Sequence, residues 1–141
     1  MPDIVVTDVI ASCIVKAIEG SLDDCSDVII GIGDTRPLAV VLTDSKTQRI
    51  LGGAIGLSSV GLLFLDSFFL PKEFRGRGLG TEILKQFERE GRRRGCQSAF
   101  LYTVNLSDFY AQNGWKTNGR MPCDPAGTFR FFMTKNLEAF S

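Results

Sequence analysis

The turn at residues 75–81 limits the possible folds of this chain more than any other segment. It reads Arg-Gly-Arg-Gly-Leu-Gly-Thr and joins an apolar run, residues 62–70, to a helical pattern that spans residues 79–94. A second apolar run follows at residues 97–104. A strand, a helix and a second strand form a crossover, which indicates that the two strands are parallel neighbours.

The crossover also predicts which segments meet. The helix travels about 24 Å away from the glycine turn, and the second strand returns about 26 Å. Tyr110, which follows that strand, is therefore expected at the end of the sheet where the turn begins. Open α/β sheets bind ligands beyond the carboxyl ends of their strands, so the turn and Tyr110 are expected to share one site.

The remaining segments predict further strands and helices around this unit. Residues 38–43, 48–57 and 61–70 are expected to form an antiparallel meander that ends at Pro71. Residues 3–8 predict a short strand, 9–20 a helix, 107–113 a short helix capped by Ser107 or Asp108, and 115–117 and 128–135 two last strands. On the long helix, the pairs Glu88–Arg92 and Glu90–Arg94 are expected on the solvent face.

Composition excludes several classes of protein. The chain has 141 residues, which suits a single domain spanning 1–141. Sixteen basic and sixteen acidic side chains give zero formal net charge, which argues against a nucleic-acid binder. No apolar run reaches the roughly 20 residues of a membrane span, and the N-terminus lacks the basic region of a signal peptide. The four cysteines lack the paired spacing of a metal site and the chain has no histidine, so no metal site is expected. Isolated thiols also predict a cytoplasmic protein.

The glycine turn is a candidate phosphate cradle. Glycines leave backbone N–H groups free to point at an anion, with a helix N-terminus behind them, and two arginines can add charge-assisted hydrogen bonds. A P-loop is excluded because no lysine follows Gly80, and the dinucleotide fingerprint is excluded because Thr81 stands where glycine or alanine is required. The pattern Arg-x-x-Gly-x-Gly remains, and a glycine turn without a ligand is the alternative.

This pattern, together with Phe-Tyr-Ala-Gln-Asn-Gly-Trp at residues 109–115, resembles the two motifs of the GNAT superfamily of acetyl-CoA-dependent N-acetyltransferases. The resemblance covers residues 36–138 and is to the small, single-domain bacterial type. It implies an α/β (α+β) fold: a mixed, mostly antiparallel central sheet, a parallel central strand pair joined by a helix, and helices on both faces. It also implies acetyl-CoA as cosubstrate.

The resemblance assigns roles to individual residues. Backbone amides of the turn would hold the pyrophosphate; the turn consists of Arg75, Gly76, Arg77, Gly78, Leu79, Gly80 and Thr81. Main-chain groups of the preceding strand, with a bulge, would bind the pantetheine arm and polarise the thioester carbonyl; these map onto Phe68, Phe69 and Leu70. Asn105 would bond the pantetheine arm, although its spacing to Tyr110 is shorter than in the common pattern. Tyr110 matches the tyrosine that protonates the leaving thiolate.

Asp66 is the candidate base. A lysine-like amine has a pKa near ~10.4 and must lose a proton before it attacks, and the chain has no histidine to accept that proton. Asp66 interrupts an apolar strand at a position where related proteins carry an acidic residue, and it could act directly or through water. Alternatively, it orients a loop or pairs with an arginine.

The acetyl acceptor is expected to be the primary amine of a small molecule. The first thirty residues would shape its pocket, and Asp23, Asp24 and Asp27 either attract its cation or form a solvated loop. A non-catalytic acyl-CoA sensor or interaction module is the alternative function. Homodimers are common in the superfamily, and the sequence leaves the oligomeric state open.

Overall fold

The computed structural model describes residues 2–23 and 35–138, which fall into two units, Met1–Gly33 and Asp34–Ser141. The first unit contains one helix, α1 (Ser12–Asp23), among its described residues. The strand predicted at residues 3–8 is wrong: this stretch has no regular structure, and Ile4, Val5 and Val6 are exposed. A β-strand needs a hydrogen-bonded neighbour, which the sequence pattern alone did not guarantee. Asp24 and Asp27 of the predicted acidic segment lie outside the described residues.

The second unit is built on a mixed sheet. Its strands are β1 (Arg36–Thr43), β2 (Ile50–Ser59), β3 (Leu62–Phe69), β4 (Ser98–Thr103), β5 (Lys116–Cys123) and β6 (Thr128–Asn136). Among the described residues these six strands lie in the order β1-β2-β3-β4-β6-β5. All neighbours are antiparallel except β3 and β4. The predicted meander and the parallel central pair are therefore confirmed, while the strand predicted at residues 115–117 extends to Cys123.

Two helices connect the central strands to the site. Helix α2 (Leu79–Arg93) is the predicted crossover, and α3 (Ser107–Gln112) follows β4. Gly95, with φ 87°, stops α2 in the left-handed conformation that glycine tolerates best. Neither Ser107 nor Asp108 caps α3; its N-cap is Leu106, whose N–H donates to the Thr103 hydroxyl. No helix in residues 2–23 or 35–138 is long and apolar enough to cross a bilayer.

One face of the sheet packs against α2. Ile83, Leu84 and Phe87 are buried on the helix, and they face a layer of buried side chains from the central strands. That layer comprises Leu63, Leu65, Ala99, Leu101 and Met133. Side chains alternate along a strand, so Phe64, Phe100, Tyr102 and Phe132 lie on the opposite face. Their rings contact one another, with centroids 4.8 to 6.4 Å apart; this surface is called the aromatic face below.

The sequence pattern predicted Glu88 on the solvent face of α2, but the structure places it in the interior. Its side chain is 3% exposed, and Oε2 accepts a hydrogen bond from Trp115 Nε1 at 3.0 Å. Oε1 accepts one from Lys135 Nζ at 2.7 Å, while Arg92 is 3.8 Å away. A spacing of four residues identifies neighbours along a helix, but it cannot show which other strands the helix meets. Glu88 therefore joins α2 to Trp115, directly before β5, and to Lys135 of β6 rather than facing solvent.

A β-bulge in β3 prepares the site. Ser67 lies opposite Ile55 and Leu65 opposite Gly56, so Asp66 is an extra residue without a cross-strand partner. The predicted bulge thus lies at Asp66 and not at residues 68–70. Because the bulge adds one residue, Leu65 and Phe68 both face α2, while Asp66 and Ser67 join the aromatic face.

The parallel pairing stops at the same place. β3 and β4 pair from Leu62–Ser98 to Leu65–Leu101 and no further. Bulges bend a strand and increase its twist, which explains why the two strands separate directly after Leu65. The gap between them is where the candidate site lies.

Candidate active site

One cavity in the described part of the chain lies beside the glycine turn and has a volume of about 500 Å³. Its lining residues come from the end of β3, the turn, the start of α2 and the segment after β4: Phe68, Phe69, Leu70, Arg75, Gly76, Gly78, Gly80, Thr81, Asn105, Leu106 and Phe109. The structure thus brings together every predicted cofactor residue except Arg77, which is exposed, and Leu79, which packs against the core. We call this the turn cavity.

The turn has the backbone geometry of an anion cradle. Gly76 and Gly78 have φ values of 77° and 80°, a region that glycine occupies without strain. A Cβ at either position would meet nothing within 4 Å, so glycine is required by conformation and the space beside it is open. The first hydrogen bond of α2 runs from Glu82 N–H to Gly78 O, with no side-chain cap. The N–H groups of the first turn are therefore available to an anion.

The side chain of Arg75 holds the glycine turn in place as well as supplying positive charge. Its Nε donates a 2.8 Å hydrogen bond to the carbonyl of Leu70, so the side chain ties the turn to the end of β3. Gly80 brings the start of α2 close to α3, because a Cβ there would lie 3.4 Å from the ring of Phe109. These contacts explain why two segments about thirty residues apart line the same cavity.

The second cavity, of about 310 Å³, lies on the other side of the gap between β3 and β4. It is lined by Leu65, Asp66, Ser67, Phe68, Tyr102, Thr103, Val104, Asn105, Leu106, Tyr110 and Arg130. Phe68, Asn105 and Leu106 also line the turn cavity, so the two cavities adjoin. This second space is lined by both residues that the sequence selected as candidate acid and base, Tyr110 and Asp66. It is called the acceptor cavity below, after the role expected of those residues.

Tyr110 is buried among aromatic rings, with 3% of its surface exposed. Ring centroids of Phe68, Phe109 and Trp115 lie 6.2, 5.3 and 5.9 Å away. Burial raises the pKa of the Tyr110 phenol to about 12, because the charged form loses its hydration. The phenol is therefore protonated throughout the physiological pH range, and its side chain borders the acceptor cavity.

Asp66 reaches the acceptor cavity because of the bulge. Its side chain is exposed, and among the described residues it takes part in no hydrogen bond or ion pair. The alternative expectation, that Asp66 pairs with an arginine, is thus not met among the described residues. The carboxylate is free to meet a cationic group that enters the cavity.

Tyr102 and Arg130 line the acceptor cavity but were not selected from the sequence. Tyr102 looks like an ordinary strand residue beside the buried Leu101. Arg130 could have been selected as a candidate site residue, because it is a charged residue within the aromatic run of residues 129–132. The same kind of interruption had singled out Asp66 in its own strand.

A sequence model described as the acetyltransferase (GNAT) family matches residues 17–119. The chain belongs to this family. An acetyltransferase of Agrobacterium fabrum is 31% identical over 101 residues, which cover 72% of this chain and 73% of that protein. Blasticidin-S acetyltransferase of Streptomyces morookaense is 27% identical over 109 residues, covering 74% and 80% of the two chains.

Solved structures agree with the GNAT assignment. The crystal structure of a candidate acetyltransferase from Agrobacterium tumefaciens has a TM-score of 0.80 and 25% identity, covering 96% of this chain and 99% of that one. An aminoglycoside 6'-N-acetyltransferase complexed with coenzyme A has the same fold, with a TM-score of 0.62 and 16% identity over 72% and 73% of the two chains. This protein is accordingly a GNAT acetyltransferase with the mixed sheet of that family.

Proposed function

We propose that this acetyltransferase moves an acetyl group from acetyl-CoA to the primary amine of a small molecule, with Tyr110 as general acid and Asp66, directly or through water, as base. The observation that carries the proposal is the junction of the two cavities at Phe68, Asn105 and Leu106. One cavity ends in an anion cradle, and the other contains a phenol and a free carboxylate. A donor and an acceptor could therefore meet at the junction.

The turn cavity fits the requirements of acetyl-CoA, which supplies the acetyl group as a thioester. The pyrophosphate would lie against the first-turn N–H groups of α2 and the glycine turn, where the helix dipole favours negative charge. Main-chain groups of Phe68, Phe69 and Leu70 border the same cavity and would orient the pantetheine arm and polarise the thioester carbonyl. The coenzyme A bound to the aminoglycoside acetyltransferase of the same fold supports this choice of ligand.

Asp66 would prepare the amine. An amine arrives protonated at neutral pH, and it cannot attack until the proton is removed. The bulge presents the Asp66 carboxylate to the acceptor cavity without a partner among the described residues. It would therefore first attract the ammonium group by charge and then accept its proton, either directly or through a water molecule.

Tyr110 would donate a proton to the thiolate that leaves as the C–S bond breaks, and it would regain one from the nitrogen that has formed the new C–N bond. Burial keeps the phenol protonated until the thiolate forms, with a pKa of about 12. With this pKa the phenol is a weaker acid than the thiol that forms when it donates its proton, since a free thiol has a pKa near ~8.5. Proton transfer would therefore depend on close placement of the hydroxyl, and Tyr110→Phe should lower kcat when chemistry limits the rate. Full turnover by this variant would contradict the acid role.

The first experiment compares the thermal unfolding of the protein with acetyl-CoA, with coenzyme A and with ATP. Ligand at about 100 times its Kd adds about 2.7 kcal/mol to the free energy of unfolding, which should raise Tm by several degrees. Release of free thiol from acetyl-CoA in the presence of a panel of small amines then measures turnover. Binding without thiol release would favour an acyl-CoA sensor, and equal stabilisation by ATP would contradict the choice of cosubstrate.

A further inference from the structure

The acceptor cavity is lined by two side chains of opposite charge, Asp66 and Arg130. The proposed chemistry uses Asp66 and gives Arg130 no role. Asp66 enters from the bulge in β3, and Arg130 enters from β6. Both side chains are exposed. Within residues 2–23 and 35–138, neither takes part in a hydrogen bond or an ion pair with another residue. The cavity therefore presents a separate anionic group and a separate cationic group to whatever occupies it.

We propose that Arg130 binds a carboxylate of the acetyl acceptor, so that the acceptor is an amino acid or another small amine that carries a carboxylate. The inference rests on the proposed function, since it assumes that the acceptor cavity receives the amine. It adds a specificity-determining residue and a chemical class of substrate.

The surroundings of Arg130 suit carboxylate binding. The guanidinium carbon lies 5.5 Å from the centroid of the Tyr102 ring, within the range of a cation–π contact. A contact with the ring restricts the planar group while its N–H edges stay available. A carboxylate can then accept two parallel hydrogen bonds from the guanidinium, which is a stronger and more directional contact than a single charge provides.

Charge and volume together favour a zwitterion over other amines. The cavity carries one negative and one positive side chain, Asp66 and Arg130, which match an ammonium and a carboxylate on one molecule. A polyamine would place a second cation beside Arg130, and a phosphate monoester would bring a second negative charge toward Asp66. A volume of about 310 Å³ lies at the small end of ligand pockets, which suits an acceptor of amino-acid size.

The test uses sets of three matched compounds with the same side chain: an amino acid, its carboxamide and the amine without the carboxyl group. Several apolar and aromatic side chains are included, together with spermidine as a polyamine. Thiol release gives kcat/KM for each compound. At least one amino acid should exceed its carboxamide by about tenfold or more, which corresponds to one charge-assisted hydrogen-bonded pair.

Variants then assign the preference to one residue. Arg130→Gln should reduce the ratio of kcat/KM between amino acid and carboxamide to near one, and Arg130→Glu should favour the amine without the carboxyl group. Arg120→Gln is the matched control, because Arg120 also lies over an aromatic ring, that of Phe129 at 4.2 Å, but lines neither cavity. This control should keep the wild-type ratio.

Three results would overturn the proposal, provided that acetyl-CoA stabilises the protein. They are equal or faster turnover of carboxamides, turnover of spermidine but of no carboxylated amine, and an unchanged ratio in a folded Arg130→Gln variant. Thiol release with none of the amines, carboxylated or not, would contradict the proposed function rather than this inference. A protein that acetyl-CoA does not stabilise would also contradict the proposed function, so the two failures are distinguishable.

Discussion

Replacing Glu88 with alanine should destabilise the protein far more than replacing a carboxylate elsewhere on the same helix. Glu88 is buried, and its two oxygens accept hydrogen bonds from Trp115 Nε1 at 3.0 Å and Lys135 Nζ at 2.7 Å. Lys135 also donates to the carbonyl of Asn113 at 2.8 Å. One carboxylate thus connects α2 to β6 and to the segment between α3 and β5, which follows the helix that carries Tyr110.

The expected loss of stability in Glu88→Ala follows from the hydrogen bonds that the substitution removes from Lys135 and Trp115. Lys135 would keep the Asn113 carbonyl but lose its carboxylate in a site where its side chain is 12% exposed. Breaking a buried ion pair from one side costs about 3–5 kcal/mol, and the indole N–H of Trp115 loses its acceptor as well. We expect a loss of about 4 kcal/mol in the free energy of unfolding. For a chain of this size, Tm should fall by about 10–15 °C.

Urea unfolding followed by Trp115 fluorescence and circular dichroism measures the loss. Glu90→Ala is the matched control, because Glu90 lies half a turn away, is 25% exposed, and pairs with Arg93 and Arg94 at 2.6 and 3.0 Å. Its removal should destabilise the protein much less, because Arg93 is 67% exposed. Arg94, although 10% exposed, keeps its hydrogen bonds to Ser58 Oγ and to the carbonyls of Arg36 and Pro37. The double variant Glu88→Leu/Lys135→Met should recover part of the loss, since it removes both charges. A Glu88→Ala protein as stable as Glu90→Ala would refute the reasoning.

Three further predictions concern the site. Because burial raises the Tyr110 pKa to about 12 from about 10 in the unfolded chain, its contribution to stability is complete below pH 10 and is lost as pH rises toward 12. Wild type should lose about 2–3 kcal/mol more than Tyr110→Phe over that interval in urea titrations, and identical pH dependence would contradict the burial argument. Asp66→Asn should lower kcat/KM by about 10²–10⁴-fold at neutral pH and move the activity profile to higher pH, whereas an unchanged rate from pH 6 to 9 would exclude Asp66 as base. Gly78→Ala should cost about 1–2 kcal/mol, because φ is 80°, and should weaken acetyl-CoA binding measured by calorimetry; Gly119→Ala, where φ is not positive and a Cβ meets nothing within 4 Å, is the control.

The crossover was predictable because its signals are local. The period of Ile83, Leu84 and Phe87 defines the buried side of α2, and glycines mark both of its ends. Strand and helix lengths follow from the rise per residue, so the meeting of the glycine turn with the segment before Tyr110 could be deduced without coordinates. The GNAT motifs lie on this unit, which is why the family could be recognised from the same residues.

Other features depended on contacts between segments that are distant in the sequence. Spacing placed Glu88 beside Arg92, but only the packed structure shows that Trp115, directly before β5, and Lys135 of β6 reach it. The strand predicted at residues 3–8 had suitable side chains but no pairing partner among residues 2–23 and 35–138. Periodicity describes one element, whereas burial and strand pairing belong to the elements that surround it.

The strand, turn, helix and strand that form the cradle could therefore be predicted from consecutive residues, because backbone conformation and amphipathic period are local properties. The set of side chains that lines the acceptor cavity depends instead on contacts between segments that are distant in the sequence. The extra residue at Asp66 has meaning only against the register of β2, and it turns that carboxylate toward the face where Arg130 arrives from β6. The two charges are separated by more than sixty residues of chain, so no local pattern could have shown that they line one cavity.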